Sequence, residues 1–381
     1  MNSVEQNRLA WIALTLTPGL GPKRIIKAAQ TLPDLSSLFR LSLTELESLN
    51  FPAPAAQFLF TGKARTEAER EVVRMSEQKG AILTYADEDY PEQLREIFDP
   101  PPVLWVLGDV KLLARPSIAI VGTRHPTPYG TGMAEVLARD LANRRMVILS
   151  GMARGIDTAA HRGALAAGGS TVAIWGTGVD VIYPKENKSL AENILVSGGA
   201  IVSEYRLGTF PAPQNFPKRN RIISGISIGV LVVEAGENSG TRVTARCALE
   251  QDRDVYAVPG NVTTKNAWGP NTLIKQGAKL VATWEDVWQE LPTQVRLQLE
   301  GELGFASSEE QTASIVEELP LQEPEKLVLS ALRHDQAIQL DELMEMLESK
   351  LTSSEIFTAL FELELANRIK QLPGKNFVRR M

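Results

Sequence analysis

The sequence is poor in the residues that build covalent or metal-bound frameworks. It has one cysteine, Cys247, and three histidines, His125, His161 and His334, in 381 residues. A single cysteine excludes an internal disulfide and any zinc cluster made of several thiolates. The histidines are widely spaced and form neither HxxxH nor HExxH, so no metal site is expected. Cys247 falls in a helical pattern and is expected to be a small buried thiol. No run of about 20 apolar residues is present, which argues against a membrane-spanning helix. The start, M-N-S-V-E-Q-N-R, has no basic stretch followed by an apolar core. No signal peptide is therefore expected, and the chain is expected in the cytoplasm. Positive charge is in deficit: 40 Lys and Arg against 46 Asp and Glu leave a net charge of −6. The global balance does not announce a nucleic-acid binder, although a local patch escapes such a count. A complete GxGxxG with an acidic partner about 20 residues on is missing, as are a Walker lysine and a Ser–His–Asp order. No cofactor and no catalytic residue is expected.

What is present is an ordinary globular composition, 44% hydrophobic and 23% charged, long enough for two or three domains. The chain is organised around Ser117 to Val262. Short apolar runs there (S-I-A-I-V, M-V-I-L-S, T-V-A-I-W, A-I-V-S, I-G-V-L-V-V, D-V-Y-A-V) alternate with helical patterns. Such alternation predicts βαβ units and a mostly parallel sheet covered on both faces. Several runs end in Gly or Ser: Gly122, Ser150-Gly151, Gly176 with Gly178, and Gly260. In sheets of this kind ligands bind outside the carboxyl ends of the strands. Glycine turns there let a phosphate approach the backbone. Gly151 and Gly155 flank Arg154 before a helix. F-P-K-R-N-R groups Lys218, Arg219 and Arg221 ahead of an apolar helical run. Ser239-Gly240-Thr241 opens another helix. A charge run of this kind is also what a solvated helix end looks like.

The flanks read differently. Residues 1–75 form a helical domain. Gly19, Gly21 and Pro22 mark a turn, and Ile25, Ile26 and Ala29 restart a helical face. The turn resembles a helix-hairpin-helix, with Lys23, Arg24 and Lys27 placed for phosphate, or is a plain helical turn with exposed lysines. Ser42, with Glu45 three residues on, is a candidate N-cap. A-I-L-T-Y and V-L-W-V-L-G-D are strands leading into a core of residues 76–291. Residues 292–323, acidic and polar, read as a flexible linker. Residues 324–381 carry three amphipathic helices and a hairpin about Pro373-Gly374, which resembles a winged helix. Its third helix carries Glu355, Glu362 and Glu364, so protein contact is as well supported as DNA contact.

Taken together, V-G-T-R, S-G-M-A-R-G-I-D-T-A-A-H, G-T-G-V-D-V-I-Y-P, F-P-K-R-N-R-I-I-S-G, S-G-T-R-V-T-A and A-V-P-G cover the central stretch nearly end to end. In this order they resemble the bacterial DNA-processing protein A (DprA, Smf) family. The resemblance implies an extended Rossmann-like, doubly wound α/β core. A helical N-terminal domain (SAM or helix-hairpin-helix-like) and a winged-helix-like C-terminal domain flank that core. It implies single-stranded DNA binding, homodimerisation, and loading of the recombinase RecA during natural transformation, with no membrane partner. Carried over by motif, the strand site would use Gly122, Thr123, Arg124, Ser150, Gly151, Arg154, Gly155, Lys218, Arg219, Asn220 and Arg221. Ser239, Gly240 and Thr241 form a further phosphate candidate. Phe216 is a stacking platform or a core residue.

The same core resembles nucleoside-monophosphate phosphoribohydrolases, whose P-G-G-x-G-T-x-x-E motif ends in the working glutamate. Here Gly240 and Thr241 match the G-T, and Thr244 takes the glutamate position, where it cannot act as a general base at neutral pH. A module that binds a small nucleotide at the same turns is the other alternative. For self-association, Leu273, Ile274 and Val281 are candidate contacts, with Trp284 and Trp288 four apart on one helical face. All five equally suit packing on the sheet edge.

Overall fold

Every apolar run of the central stretch is a strand of one nine-stranded sheet. In this computed structural model the described residues are 3–32, 34–237, 239–303, 323–332, 338–347, 350–365, 368–372 and 375–379. The chain divides into two units, Met1–Phe305 and Ala306–Met381.

The first unit opens with α1 (Ser3–Leu16), α2 (Pro22–Thr31), α3 (Leu43–Ser48), α4 (Ala53–Phe60) and α5 (Lys63–Glu77). Ser42 caps α3 in a reciprocal capping box with Glu45. These helices bury Ile12, Leu14, Ile25 and Leu46 in one cluster with Trp105, Trp175 and Ile201 of the sheet. The helical N-terminus is thus continuous with the core. Glu71 of α5 adds a polar fastening, accepting from the Leu207 backbone N–H at 2.6 Å.

There follow β1 (Ala81–Thr84), α6 (Glu92–Arg95) and β2 (Val103–Gly108). The alternation then runs β3 (Ser117–Val121), α7 (Pro128–Asn143), β4 (Val147–Ser150), α8 (Ile156–Ala166), β5 (Thr171–Trp175), α9 (Lys188–Val196) and β6 (Ala200–Ser203). It continues through α10 (Asn215–Ile226), β7 (Gly229–Val232), α11 (Thr241–Glu250), β8 (Asp254–Ala257), α12 (Trp268–Lys275), β9 (Lys279–Leu280), α13 (Trp284–Gln289) and α14 (Thr293–Glu302).

The strand order is β1-β2-β6-β5-β4-β3-β7-β8-β9. The β1–β2 and β2–β6 pairs are antiparallel and the rest parallel. Side chains alternate between the two faces. Ile118 and Ile120 of β3 pack with Leu137 and Leu141 of α7. Ala119 and Val121 pack with Ile222 and Ile223 of α10. Burial on both faces is why these strands read as unbroken apolar runs.

Two expectations are corrected here. Residues 293–302 of the expected linker form α14, with Leu299 fully buried against the α7 side of the sheet. The remainder, 304–322, lies outside the described residues. Cys247 is half-buried on α11 and not a core thiol.

The second unit has α15 (Glu323–Ala331), β10 (Ile338–Gln339), α16 (Leu340–Leu347), α17 (Ser353–Leu365), β11 (Ile369–Leu372) and β12 (Asn376–Arg379). Its sheet order is β10-β12-β11, both pairs antiparallel. Val328, Leu343, Ile356 and Leu363 form its own core. This is the winged-helix arrangement; Pro373 and Gly374 lie outside the described residues. Among the described residues no helix is long and apolar enough to cross a membrane, and no group of His, Cys, Asp or Glu is placed to hold a metal.

Candidate nucleic-acid interface

From β3 the chain steps outward through β4, β5 and β6, then returns to place β7 on the other side of β3. The loops after β3 and β7 therefore diverge at a topological switch point, where a crevice opens. The Thr123 N–H donates to the Glu234 carbonyl at 2.7 Å and ties the two loops at their base. Above that tie lies a cleft of about 730 Å³.

Gly122, Thr123 and Arg124 enter this cleft from β3, and Ser239, Gly240 and Thr241 from the start of α11. Phe216, Arg219 and Asn220 come from α10. The sequence thus names nine residues that one cleft gathers. The Ser239 hydroxyl accepts from the Thr241 N–H at 3.2 Å and shapes the turn.

Six of the named residues lie elsewhere, for identifiable reasons. Ser150 is fully buried and donates its hydroxyl to the Ile120 carbonyl at 2.6 Å. The Gly151 N–H is taken by the Asp157 carboxylate at 3.1 Å, so it is not a free phosphate donor. Gly155 has φ of +77°, a conformation open to glycine, and packs beneath the loop of Thr123. Arg154 is exposed and paired with Glu186 on the surface. Arg221 faces away from the cleft: Glu204 holds it bidentately at 2.7 and 2.9 Å, and Asp99 accepts from its Nε at 3.0 Å. Lys218 is exposed next to the lining residues Pro217 and Arg219.

The floor of the cleft is electrically settled. Arg219 is buried and donates to the carbonyls of Gly151, at 2.8 Å, and Ile174. A Cβ on Gly151 would lie 2.6 Å from its Nη2, so the glycine makes room for the guanidinium. Burial pulls the Arg219 pKa down to about 10, opposed by the charge of Asp157. Burial likewise raises the Asp157 pKa, opposed first by Arg219 and then by N–H donors of Ala153 and Gly151. Arg219 and Asp157 thus oppose each other's burial beneath the cleft without forming an ion pair.

The rim is different. Among the described residues, Arg124 on the cleft lining and Lys218 next to it form no ion pair, although the charge of Arg124 reaches Asp157. An aromatic pair lines the same cleft. The Phe216 ring lies 5.3 Å from that of Tyr183, which is 41% exposed. Tyr183, Asp157, Thr244 and Asn266 line the cleft without having been singled out as site residues. Tyr183 and Asp157 sit inside quoted motifs, whereas Asn266 carries no sequence signal. Cations outside ion pairs, next to flat rings, suit an anionic polymer with unstacked bases.

At the sheet edge, Val281 is fully buried with Val287 and Leu291. It is packed within this chain, which corrects its assignment as a contact for a second copy. Trp284 and Trp288 pack on the same side, 6.1 Å apart. Leu273 and Ile274 are half-buried.

A family model for DNA recombination-mediator protein A matches residues 81–292, and one for the DprA winged helix domain matches residues 314–375. The chain is 39% identical over 316 residues to Protein Smf of Escherichia coli K12, covering 83% of this chain and 82% of that protein. The crystal structure of DNA processing protein A from Streptococcus pneumoniae superposes with a TM-score of 0.65 at 34% identity. It covers 77% of this chain and 99% of its own. DNA processing protein A of Helicobacter pylori, whose structure concerns its single-stranded DNA binding mode, matches with a TM-score of 0.50 at 32% identity. That match covers 55% of this chain and 95% of that one.

Proposed function

Since this chain belongs to the DNA recombination-mediator protein A family, we propose that its switch-point cleft holds single-stranded DNA, which the protein presents to the recombinase RecA. One observation carries the strand-binding part. Among the described residues, Arg124 lines the cleft with Tyr183 and Phe216 and Lys218 adjoins that lining, neither in an ion pair, while Arg154 and Arg221 are already engaged. Cations without internal partners are available to phosphates, and the rings offer π faces that any base can use. No acidic side chain replaces the glutamate of the hydrolase motif: Thr244 lines the cleft at that position. This favours binding over catalysis.

The proposed presentation to RecA involves a homodimer. β9 is the outer strand of the sheet and exposes Leu280, and Ile274 of α12 is half-buried nearby. A two-fold contact there would leave the cleft open and give two strand sites per particle.

The test is equilibrium binding of labelled oligo-dT in competition with free mononucleotides. Wild type is expected to bind oligo-dT and an arbitrary-sequence strand alike, with mononucleotides competing poorly. Arg124→Ala and Lys218→Glu are each expected to weaken both strands equally. Displacement by equimolar mononucleotide would overturn the strand reading in favour of a small-nucleotide site.

A further inference from the structure

Of the six tryptophans, Trp11, Trp105 and Trp175 are buried, and Trp284 and Trp288 pack into the core beside α7. Trp268 alone stands out, 38% exposed at the start of α12. It is two residues beyond Asn266, which lines the cleft. The Arg242 guanidinium lies over its ring, 5.1 Å from the centroid. Arg242 belongs to the first turn of α11, whose Thr241 and Val243 line the cleft as well.

Both groups keep capacity that the fold leaves unused. The Arg242 Nη1 donates to the Glu237 carbonyl at 2.8 Å, and among the described residues the side chain has no carboxylate partner. Lys265, in the turn leading to Trp268, is exposed and likewise without an ion pair among the described residues. A guanidinium stacked on an indole keeps its edge N–H groups free for phosphate, while the outer ring face stays open to a base.

The sheet fixes where this pair stands. The Asn215 side chain donates to the Gly176 carbonyl, which puts Phe216 over the end of β5. The Gly269 N–H donates to the Ala235 carbonyl, which puts Trp268 near the end of β7. Between β5 and β7 lie β4 and β3, so three inter-strand steps, roughly 14 Å, separate the two places. That is about four times the 3.4 Å advance of one stacked nucleotide. Rings so far apart could not stack on one and the same base.

We propose that Trp268 with Arg242 is a second base-stacking station. On this view one single strand runs across the switch point from Phe216 to Trp268. The proposal rests on the cleft being a single-strand site. It adds that the strand's reach extends to α12 and that the ligand there is an unpaired nucleobase with its flanking phosphate.

The experiment uses the full chain, oligo-dT, and an abasic strand of equal length. Stacking of one base predicts that Trp268→Ala weakens oligo-dT binding about fivefold or more. Trp268→Phe should retain most of the affinity. The abasic strand should bind wild type and Trp268→Ala equally, since its phosphates are unchanged. Oligo-dT should quench tryptophan fluorescence in wild type and not in Trp268→Phe. Wild-type affinity and quenching in both variants, with Lys218→Glu still impaired, would overturn this station alone. Failure of wild type to bind oligo-dT would overturn the cleft reading and this one with it. A change in sedimentation of Trp268→Ala without a change in DNA affinity would make the ring a protein contact and overturn the station.

Discussion

At the scale of single residues, the partners of each cation separate structure from binding. The run Lys218-Arg219-Asn220-Arg221 looks uniform in sequence, but on a helix each step turns about 100°. Lys218 points to solvent, Arg219 under the cleft, and Arg221 toward Glu204 and Asp99. The local sequence carries the cluster and not its three directions, because the acidic partners come from distant loops. Removing Arg219 leaves the Gly151 and Ile174 carbonyls without that donor and takes away a charge that opposes the burial of Asp157. Arg219→Met is therefore expected to cost about 1–3 kcal/mol in urea unfolding, whereas Lys218→Glu should leave stability nearly unchanged. Equal stability of Arg219→Met and wild type would contradict that structural role for Arg219.

His161 gives a second residue-scale test. It is fully buried, with Nδ1 2.7 Å from the Thr171 hydroxyl, and burial lowers its pKa to about 3. Below the ordinary value of 6.5 the unfolded chain takes up a proton that the folded chain refuses. Stability is thus present above 6.5 and lost as pH falls toward 3. By about pH 5.5 the loss is roughly 1.4 kcal/mol. His161→Gln should lack that component when unfolding free energies near neutral pH and at about pH 5.5 are compared. An identical pH dependence in the variant would contradict it.

At the scale of elements, legibility followed burial. The strands of the central stretch are apolar on both faces, so their existence showed in unbroken runs such as S-I-A-I-V. The capping box at Ser42 was legible because it is a contact three residues long. α14 was not: its helix lies in an acidic stretch, and only Leu299 is fully buried. A truncated chain should accordingly end after Leu303, keeping α14, and not near Leu291. The winged-helix unit exposes Phe357 and Phe361 on α17 beside Glu355 and Glu362, a face ill-suited to phosphate. The chain ending after Leu303 is expected to bind oligo-dT like the full chain in a fluorescence titration. Loss of binding with the fold intact would assign strand contacts to the second unit.

At the scale of the whole molecule, a net charge of −6 is compatible with the proposed strand site because the balance that matters is local. Many acidic groups are spent on internal pairs such as Glu204–Arg221 and Asp254–Lys279, while among the described residues Arg124, Lys218, Arg242 and Lys265 form no ion pair. Composition could not reveal this, since it counts charges without their partners. The most direct measurement is the salt dependence of oligo-dT binding for wild type and Arg124→Ala. If the cleft holds phosphates, log affinity falls linearly with log salt at about −0.7 per phosphate neutralised, and Arg124→Ala lowers the slope by about one such contact. A salt-independent affinity, or a slope and affinity identical in Arg124→Ala, would contradict the assignment of the cleft.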